Sequence, residues 1–178
     1  VPSSPYLKPD AALVELYKLR MMELARPWIG ITWSGNPELS TNAKRSLTAG
    51  QVTDLCDGMP GTWISLQKGV ASLPDRLISV EDGLASTMDH AAALIENLDL
   101  VISVDTSIAH LAGALGRPVW TLLAHSSDWR WMTGSAKSVW YPSMRLFRQP
   151  VRGDWATVIA EARRAMLNRA AAESSFAA

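Results

Sequence analysis

Cysteine is nearly missing from this 178-residue chain, where Cys56 stands alone. A single thiol excludes an internal disulfide and makes a cytosolic setting the natural reading. Cys56 falls beside Leu55 in a helical pattern, where a small buried apolar residue is expected rather than a nucleophile. An excess of either charge is missing too, since 17 Lys and Arg balance 17 Asp and Glu. Proteins that grip nucleic acid or an anionic bilayer rely on a basic excess, so neither partner is expected. No apolar run approaches the roughly 18 residues of a membrane span. Val1-Pro2-Ser3-Ser4-Pro5 has neither the basic nor the apolar region of a signal peptide. The initiator methionine is also absent, which reads as a piece of something longer or a processed product.

Several ligand-binding signatures are absent as well. No Gly-x-Gly-x-x-Gly follows a candidate strand and no P-loop lysine pattern occurs, which removes the usual cradles for dinucleotides and nucleoside triphosphates. There is no Asp-x-Asp, and His90, His110 and His125 are scattered rather than ligand-spaced, so neither a metal nor a cofactor is expected.

What is present is an ordinary globular composition, 48% hydrophobic and 19% charged. That length suits one domain able to bury about two-thirds of its unfolded surface. Residues 1–26 read as a Pro- and Ser-rich linker followed by an interdomain helix. Asp10 caps that helix, Leu13, Leu16/Tyr17 and Leu24 share one side, and Pro27 ends it. Residues 27–169 then alternate apolar runs with helical patterns, the signature of βαβ units and a doubly wound parallel sheet with helices on both faces.

The predicted strands are 28–33, 61–66, 77–80, 100–104, 118–123 and 144–147. Thr48-Ala49-Gly50-Gln51 spells a capping box, closed by Asp57-Gly58, and Ser86-Thr87-Met88-Asp89 opens a helix carrying Ala91, Leu94, Ile95 and Leu98. Gly153-Asp154 caps a last helix with Trp155, Val158/Ile159, Ala162 and Met166 inward, and residues 170–178 are expected to fray.

In open α/β sheets ligands sit beyond the carboxyl ends of the strands. Three polar loops leave such ends here: Ser34-Gly35-Asn36 running to Lys44-Arg45-Ser46, Asp105-Thr106-Ser107, and Ala124 to Asp128. Asp105 is positioned to cap a helix whose first turn holds Thr106 and Ser107, and free N–H groups at a positive helix end attract anions. His110 follows one turn later, able to donate to a phosphate oxygen, and Gly113 and Ala114 leave room for close packing. Alone, Asp105 is as well read as a mere cap, His110 as a packed helix residue, and Lys44 and Arg45 as solvated surface. Together they read as a metal-free phosphate site, with Arg45 the better candidate because its planar fork holds phosphate bidentately. The Trp129-Arg130-Trp131 loop admits stacking on a base or sugar, or plain packing, and Arg130 or Lys137 is placed to close over a ligand.

The run from Asp105 to Pro118, with its Asp-Thr-Ser-x-x-His start and Ala-rich helix, resembles the signature of heptosyltransferase-like glycosyltransferases. The likeness extends to Trp33-Ser34-Gly35-Asn36 with Lys44-Arg45-Ser46, to Ser65-Leu66-Gln67-Lys68-Gly69, and to Asp128-Trp129-Arg130-Trp131 with the stretch from Trp140 to Gln149. In that fuller form it resembles the end of bacterial tetratricopeptide-repeat proteins, over about residues 26 to 168. Ser107 stands where the family most often has Gly, and His90 where a small residue is usual.

The resemblance implies the C-terminal half of a GT-B fold, which holds a nucleotide-diphosphate sugar (UDP-, ADP- or GDP-linked) for transfer to an acceptor, without metal. Thr106 and Ser107 would bind the diphosphate at the helix end, and Asp105 would order that turn or touch the sugar. His110 and Arg45 would stabilise the leaving group. Ser34 would meet the diphosphate, with Asn36 and Lys44 in the same loop, Gln67 would face the nucleoside, and Met88 and Asp89 would lie near the base. The catalytic base belongs to an N-terminal acceptor domain, or the repeats of the same protein, outside this chain, so these residues alone are expected to be inactive. A different reading of the same residues is a non-catalytic nucleotide-binding or interaction module.

Overall fold

A computed structural model describes residues 5–80 and 87–176. Four residues of the expected linker, Ser86 of the expected helix opening and the last two residues of the tail lie outside the described residues. The elements run α1 (Ala11–Met21), β1 (Trp28–Thr32), α2 (Asn42–Arg45), α3 (Ala49–Cys56), β2 (Thr62–Ser65), β3 (Leu77–Ile78), α4 (Met88–Asn97), β4 (Leu100–Val104), α5 (Ser107–Ala114), β5 (Val119–Leu123), β6 (Met144–Arg148) and α6 (Trp155–Phe176), with a 3₁₀ turn at Trp129–Trp131.

The six strands form one parallel sheet in the order β3-β2-β1-β4-β5-β6. β1, β4 and β5 are buried along their whole length, as continuous apolar runs in the middle of a covered sheet must be. Successive side chains of β4 divide between two cores. Val101 packs with α1, α4 and α5, whereas Leu100, Ile102 and Val104 pack with α3 and α6. The sheet is thus wound on both faces. β1 connects through α3 on one face and β4 through α5 on the other, so their connections part between the two neighbouring strands.

Local chemistry explains the helices. Thr48 accepts from Gln51 N at 3.3 Å while Gln51 Oε1 accepts from Thr48 N at 2.9 Å, closing the capping box of α3. Gly58, at φ 67°, takes the left-handed turn beyond that helix. Asp10 caps α1 through Leu13 N, and Thr87 caps α4 through His90 N. Cys56 is buried and its thiol is pushed up to about 12 by burial, so it is a packing group.

Several boundaries differ from the sequence reading. α1 ends at Met21, before Pro27, and its inward seam is Tyr17 and Met21 with Leu13 and Val14; Leu16 faces solvent, since helical geometry carries it off the seam that Tyr17 sets. α1 packs along α4, where Asn97 Nδ2 donates to Val14 O at 2.9 Å. β3 keeps only two residues, as suits an edge strand with one neighbour. Asn42–Arg45, read as loop, forms one short helical turn. α6 continues past Arg169 to Phe176, as its Ala-rich composition favours. Among the described residues no helix is long and apolar enough to cross a membrane.

Removing one half of the α3 capping box, by Thr48→Ala, is expected to cost about 1 kcal/mol. It should lower the urea midpoint with the slope unchanged.

Candidate functional site

The crevice where β1 and β4 part is floored by the loop that follows β1. Gln67, just past β2, braces that loop by accepting from Trp33 N at 3.2 Å and Ser34 N at 2.9 Å. Asn42 braces it from the other side, donating to Ser34 Oγ at 3.1 Å and accepting from Gly35 N at 2.9 Å. Ser46 Oγ donates to Asn42 O at 2.7 Å. The short α2 therefore hangs from a hydrogen-bonded knot around buried Asn42 and presents Arg45 inward. Gly35 makes this possible, because a Cβ there would lie 2.7 Å from Arg45 Nη2. The Arg45 Nη1 stands 4.0 Å from Asp105 Oδ2, and its buried Nε has no protein partner.

Across the crevice α5 begins. Thr106, and not Asp105, is its N-cap: the Thr106 Oγ1 accepts from Ile108 N at 3.3 Å and lies 2.9 Å from Ser103 Oγ. Ser103 donates its own hydrogen to Val104 O, so Thr106 donates to Ser103 and its hydroxyl is committed inside the protein. The register reason is that β4 ends at Val104 and one further extended residue, Asp105, is needed before the helix can start. This shift frees the Asp105 carboxylate to face Arg45. The N–H of Ser107, in the first turn, has no intrahelical acceptor and its side chain is exposed at the crevice.

His110 is fixed by aromatic neighbours. Its ring stacks on Trp131 at 4.9 Å and 22°, and its Nδ1 lies 3.1 Å from the Tyr141 hydroxyl. Tyr141 in turn covers Gly113, where a Cβ would come within 2.4 Å of its ring. With Nδ1 engaged by Tyr141, Nε2 remains for an occupant of the cleft. Burial lowers the His110 pKa below its ordinary 6.5; Asp105 and Asp128 pull it up and Arg130 pushes it further down. Burial also pushes the Tyr141 hydroxyl up to about 12, with the neighbouring Tyr6 adding to the shift, so Tyr141 stays protonated.

The resulting cleft encloses about 460 Å³. Ser34, Asn36, Arg45, Gln67, Met88, Asp105, Thr106, Ser107 and His110 all line it, as do Lys68 and Arg130. Lys44 does not: it turns one helical step away from Arg45 and borders a neighbouring chamber of about 530 Å³. Asp89 lines neither, because the step from Met88 along α4 rotates it off the cleft.

Trp131 is buried against His110, while Trp129 is 68% exposed and packs edge-to-face on Trp140. Lys137 does not line the cleft; its backbone forms an isolated antiparallel bridge with that of Arg145. Asn42 and Tyr141 escaped the sequence reading as site residues, since both act by holding other side chains. Among the described residues no three His, Cys, Asp or Glu gather in a way that could hold a metal. Among the described residues lining the cleft, the basic groups are Arg45, Lys68 and Arg130 and the one carboxylate is that of Asp105.

Residues 85–148 match the model of glycosyltransferase family 9 (heptosyltransferase). The matched segment carries Met88, the Asp105-to-His110 turn, Arg130 and Tyr141. The chain is also 30% identical over 162 residues to Protein FlbA of Caulobacter vibrioides, covering 84% of this chain and 27% of that protein. Its fold resembles the crystal structure of the glycosyl transferase family 9 from Veillonella parvula DSM 2008, with a TM-score of 0.54 and 11% identity over 90% of this chain and 48% of that one. The chain therefore spans about a quarter of the FlbA length and about half of the solved relative.

The His110 environment yields a pH signature. The unfolded chain takes up this proton at a higher pH than the folded one, so stability falls as pH drops below 6.5 toward the folded-state value. An NMR titration should place the His110 midpoint below 6.5, and His110→Phe, which keeps the stack on Trp131, should flatten the acid-side loss of stability relative to the parent.

Proposed function

We propose that this chain is the donor-binding half of a glycosyltransferase and that the cleft holds the diphosphate of a nucleotide-linked sugar. The observation that carries the reading is convergence: Arg45, the first turn of α5 and His110 line one crevice where the winding of the sheet reverses. An oxyanion rich in acceptors and carrying two negative charges suits that set of donors. The match of residues 85–148 to a glycosyltransferase family adds support.

Glycosyl transfer breaks the bond between the sugar carbon and the diphosphate oxygen, and negative charge grows on that oxygen as it leaves. Donors already fixed in place stabilise such charge without reorganising, and removing one commonly costs about 10²–10³ in rate. Arg45 is held by the Asn42 knot, the α5 turn by the Thr106 cap, and His110 by Trp131 and Tyr141, so all three contributors are pre-positioned. The neutral imidazole donates through Nε2 when Nδ1 accepts from Tyr141. Gln67 and Met88 border the end of the cleft nearest β2 and α4, where the nucleoside is assigned. The acceptor and the base that deprotonates it belong to a companion half, as the half-length overlap with the solved relative suggests.

Calorimetric titration of the 178-residue chain with UDP, ADP, GDP and NADH tests the reading. One of the three nucleoside diphosphates should bind and NADH should not. Loss of a charge-assisted contact costs about 1.5–3 kcal/mol, so Arg45→Ala should weaken binding roughly tenfold to a hundredfold, and Thr106→Ala should weaken it through the loosened cap. Transfer activity should be negligible. A nucleotide affinity indifferent to Arg45→Ala, or sustained turnover by this chain alone, would overturn the proposal.

A further inference from the structure

The connection from β5 to β6 brings Trp131 against His110, yet its own backbone bonds are few. The 3₁₀ turn closes with Trp131 N donating to Asp128 O at 3.1 Å and Met132 N to Trp129 O at 3.0 Å. A turn this short leaves the carbonyls of Arg130, Trp131 and Met132 without a donor inside it. Met132, which ends the turn, takes φ 50°, a left-handed conformation that a residue bearing a Cβ keeps only where its surroundings impose it. The buried indole Nε1 of Trp131 has no hydrogen-bond partner among the described residues, so packing and its own backbone set the orientation of that ring.

Trp140 Nε1 donates to Arg130 O at 2.8 Å, and one residue from outside the connection meets the remaining demand. Arg148, the last residue of β6, donates from Nη2 to Trp131 O at 3.1 Å and to Met132 O, the carbonyls on either side of the left-handed residue. Its Nη1 donates to Ser127 Oγ, ahead of the turn. A planar fork can span the two ends of the turn in this way. Strand alternation puts it there: Met144, Leu146 and Arg148 share a face of β6, and the first two pack in the same core as Trp131 and Tyr141.

We propose that Arg148 is a positioning residue of the cleft, fixing the β5–β6 connection so that Trp131 holds the His110 ring in line with Arg45 and the α5 turn. Its value to a ligand rests on the donor-site reading. The alignment of His110 does not, and the two are separable.

The test reads the His110 imidazole C–H resonances of the whole 178-residue chain, assigned by their loss in His110→Phe. Protons over the face of an indole resonate upfield, so the stack on Trp131 has a signature that nearby charge does not supply. Arg148→Lys keeps the charge and loses the fork. It should move those resonances downfield and raise the His110 midpoint toward 6.5, as water reaches a ring whose pKa burial now lowers. Of the groups facing the ring, Asp105 and the Tyr141 hydroxyl stay in place, while Asp128 and Arg130, paired at 3.2 Å, move with the turn as opposite charges.

Ser127→Ala removes only the Nη1 contact and should displace the same resonances by less; it decides the matter if the lysine variant does not fold, and resonances unmoved there overturn the proposal. Arg163→Ala is the control, since Arg163 clamps Asp54 O and Asp57 O at the end of α3 on the opposite face of the sheet. It should lower the Tm without moving His110. UDP, ADP and GDP are then titrated, and the nucleotide that binds the parent should bind Arg148→Lys severalfold more weakly and Arg163→Ala as before. His110 unmoved in a folded Arg148→Lys, moved equally by Arg163→Ala, or displaced with nucleotide affinity intact overturns the positioning role. His110 displaced by Arg148→Lys in a chain that binds none of the three nucleotides overturns the donor reading and leaves the alignment standing.

Discussion

Nearly every feature of the site follows from one constraint of chain winding. β1 and β4 are neighbours in a fully parallel sheet, yet the segment after β1 leaves toward the α3 face and the segment after β4 toward the α5 face. Two connections that diverge cannot fill the space between them, so a crevice opens at the carboxyl edge of the sheet. The sheet itself is rigid, buried on both faces along its three central strands, and that rigidity fixes the distance between the crevice walls. What the loops add is orientation.

That orientation comes from hydrogen bonds and packing among the loops' own side chains. Asn42 knots the first loop, Gln67 ties it to the end of β2, and the Thr106–Ser103 contact closes the α5 cap. Trp131 and Tyr141 reach in from the β5–β6 connection to immobilise His110. The site thus depends on four separate connections, those after β1, β2, β4 and β5, which explains why its residues are spread from Ser34 to Tyr141.

Much of this was legible in the sequence. The Leu100–Val104 run, the Thr48/Gln51 capping box and the spacing of Trp155, Val158, Ile159, Ala162 and Met166 each carry a periodicity or a turn signal that only one element satisfies. The Asp105-to-His110 turn stood out because it leaves the carboxyl end of an apolar strand beside a basic loop, although alone it reads as well as a cap and a packed helix. What was not legible depended on packing. Asp105 and Thr106 are equally good caps by composition, and only the exit register of β4 selects Thr106. Asp89, in the first turn of α4, and Lys44, in the four-residue α2, each sit one residue from a cleft-lining neighbour, a difference of about a third of a turn that composition does not announce. The partnership of Tyr141 with His110 spans 31 positions and has no local sign.

The Arg45–Asp105 pair also sets a threshold for what the cleft accepts. The carboxylate serves as counter-ion to the guanidinium, so the crevice is partly neutralised from within. A monovalent anion arriving there merely exchanges with Asp105 and gains little, since one charge replaces another of the same size in a similar dielectric. A ligand must bring a second charge, or a second point of attachment along the α5 turn, before displacement becomes favourable. On the proposed reading the carboxylate therefore works as a filter, turning away a monovalent anion such as chloride while a diphosphate displaces it.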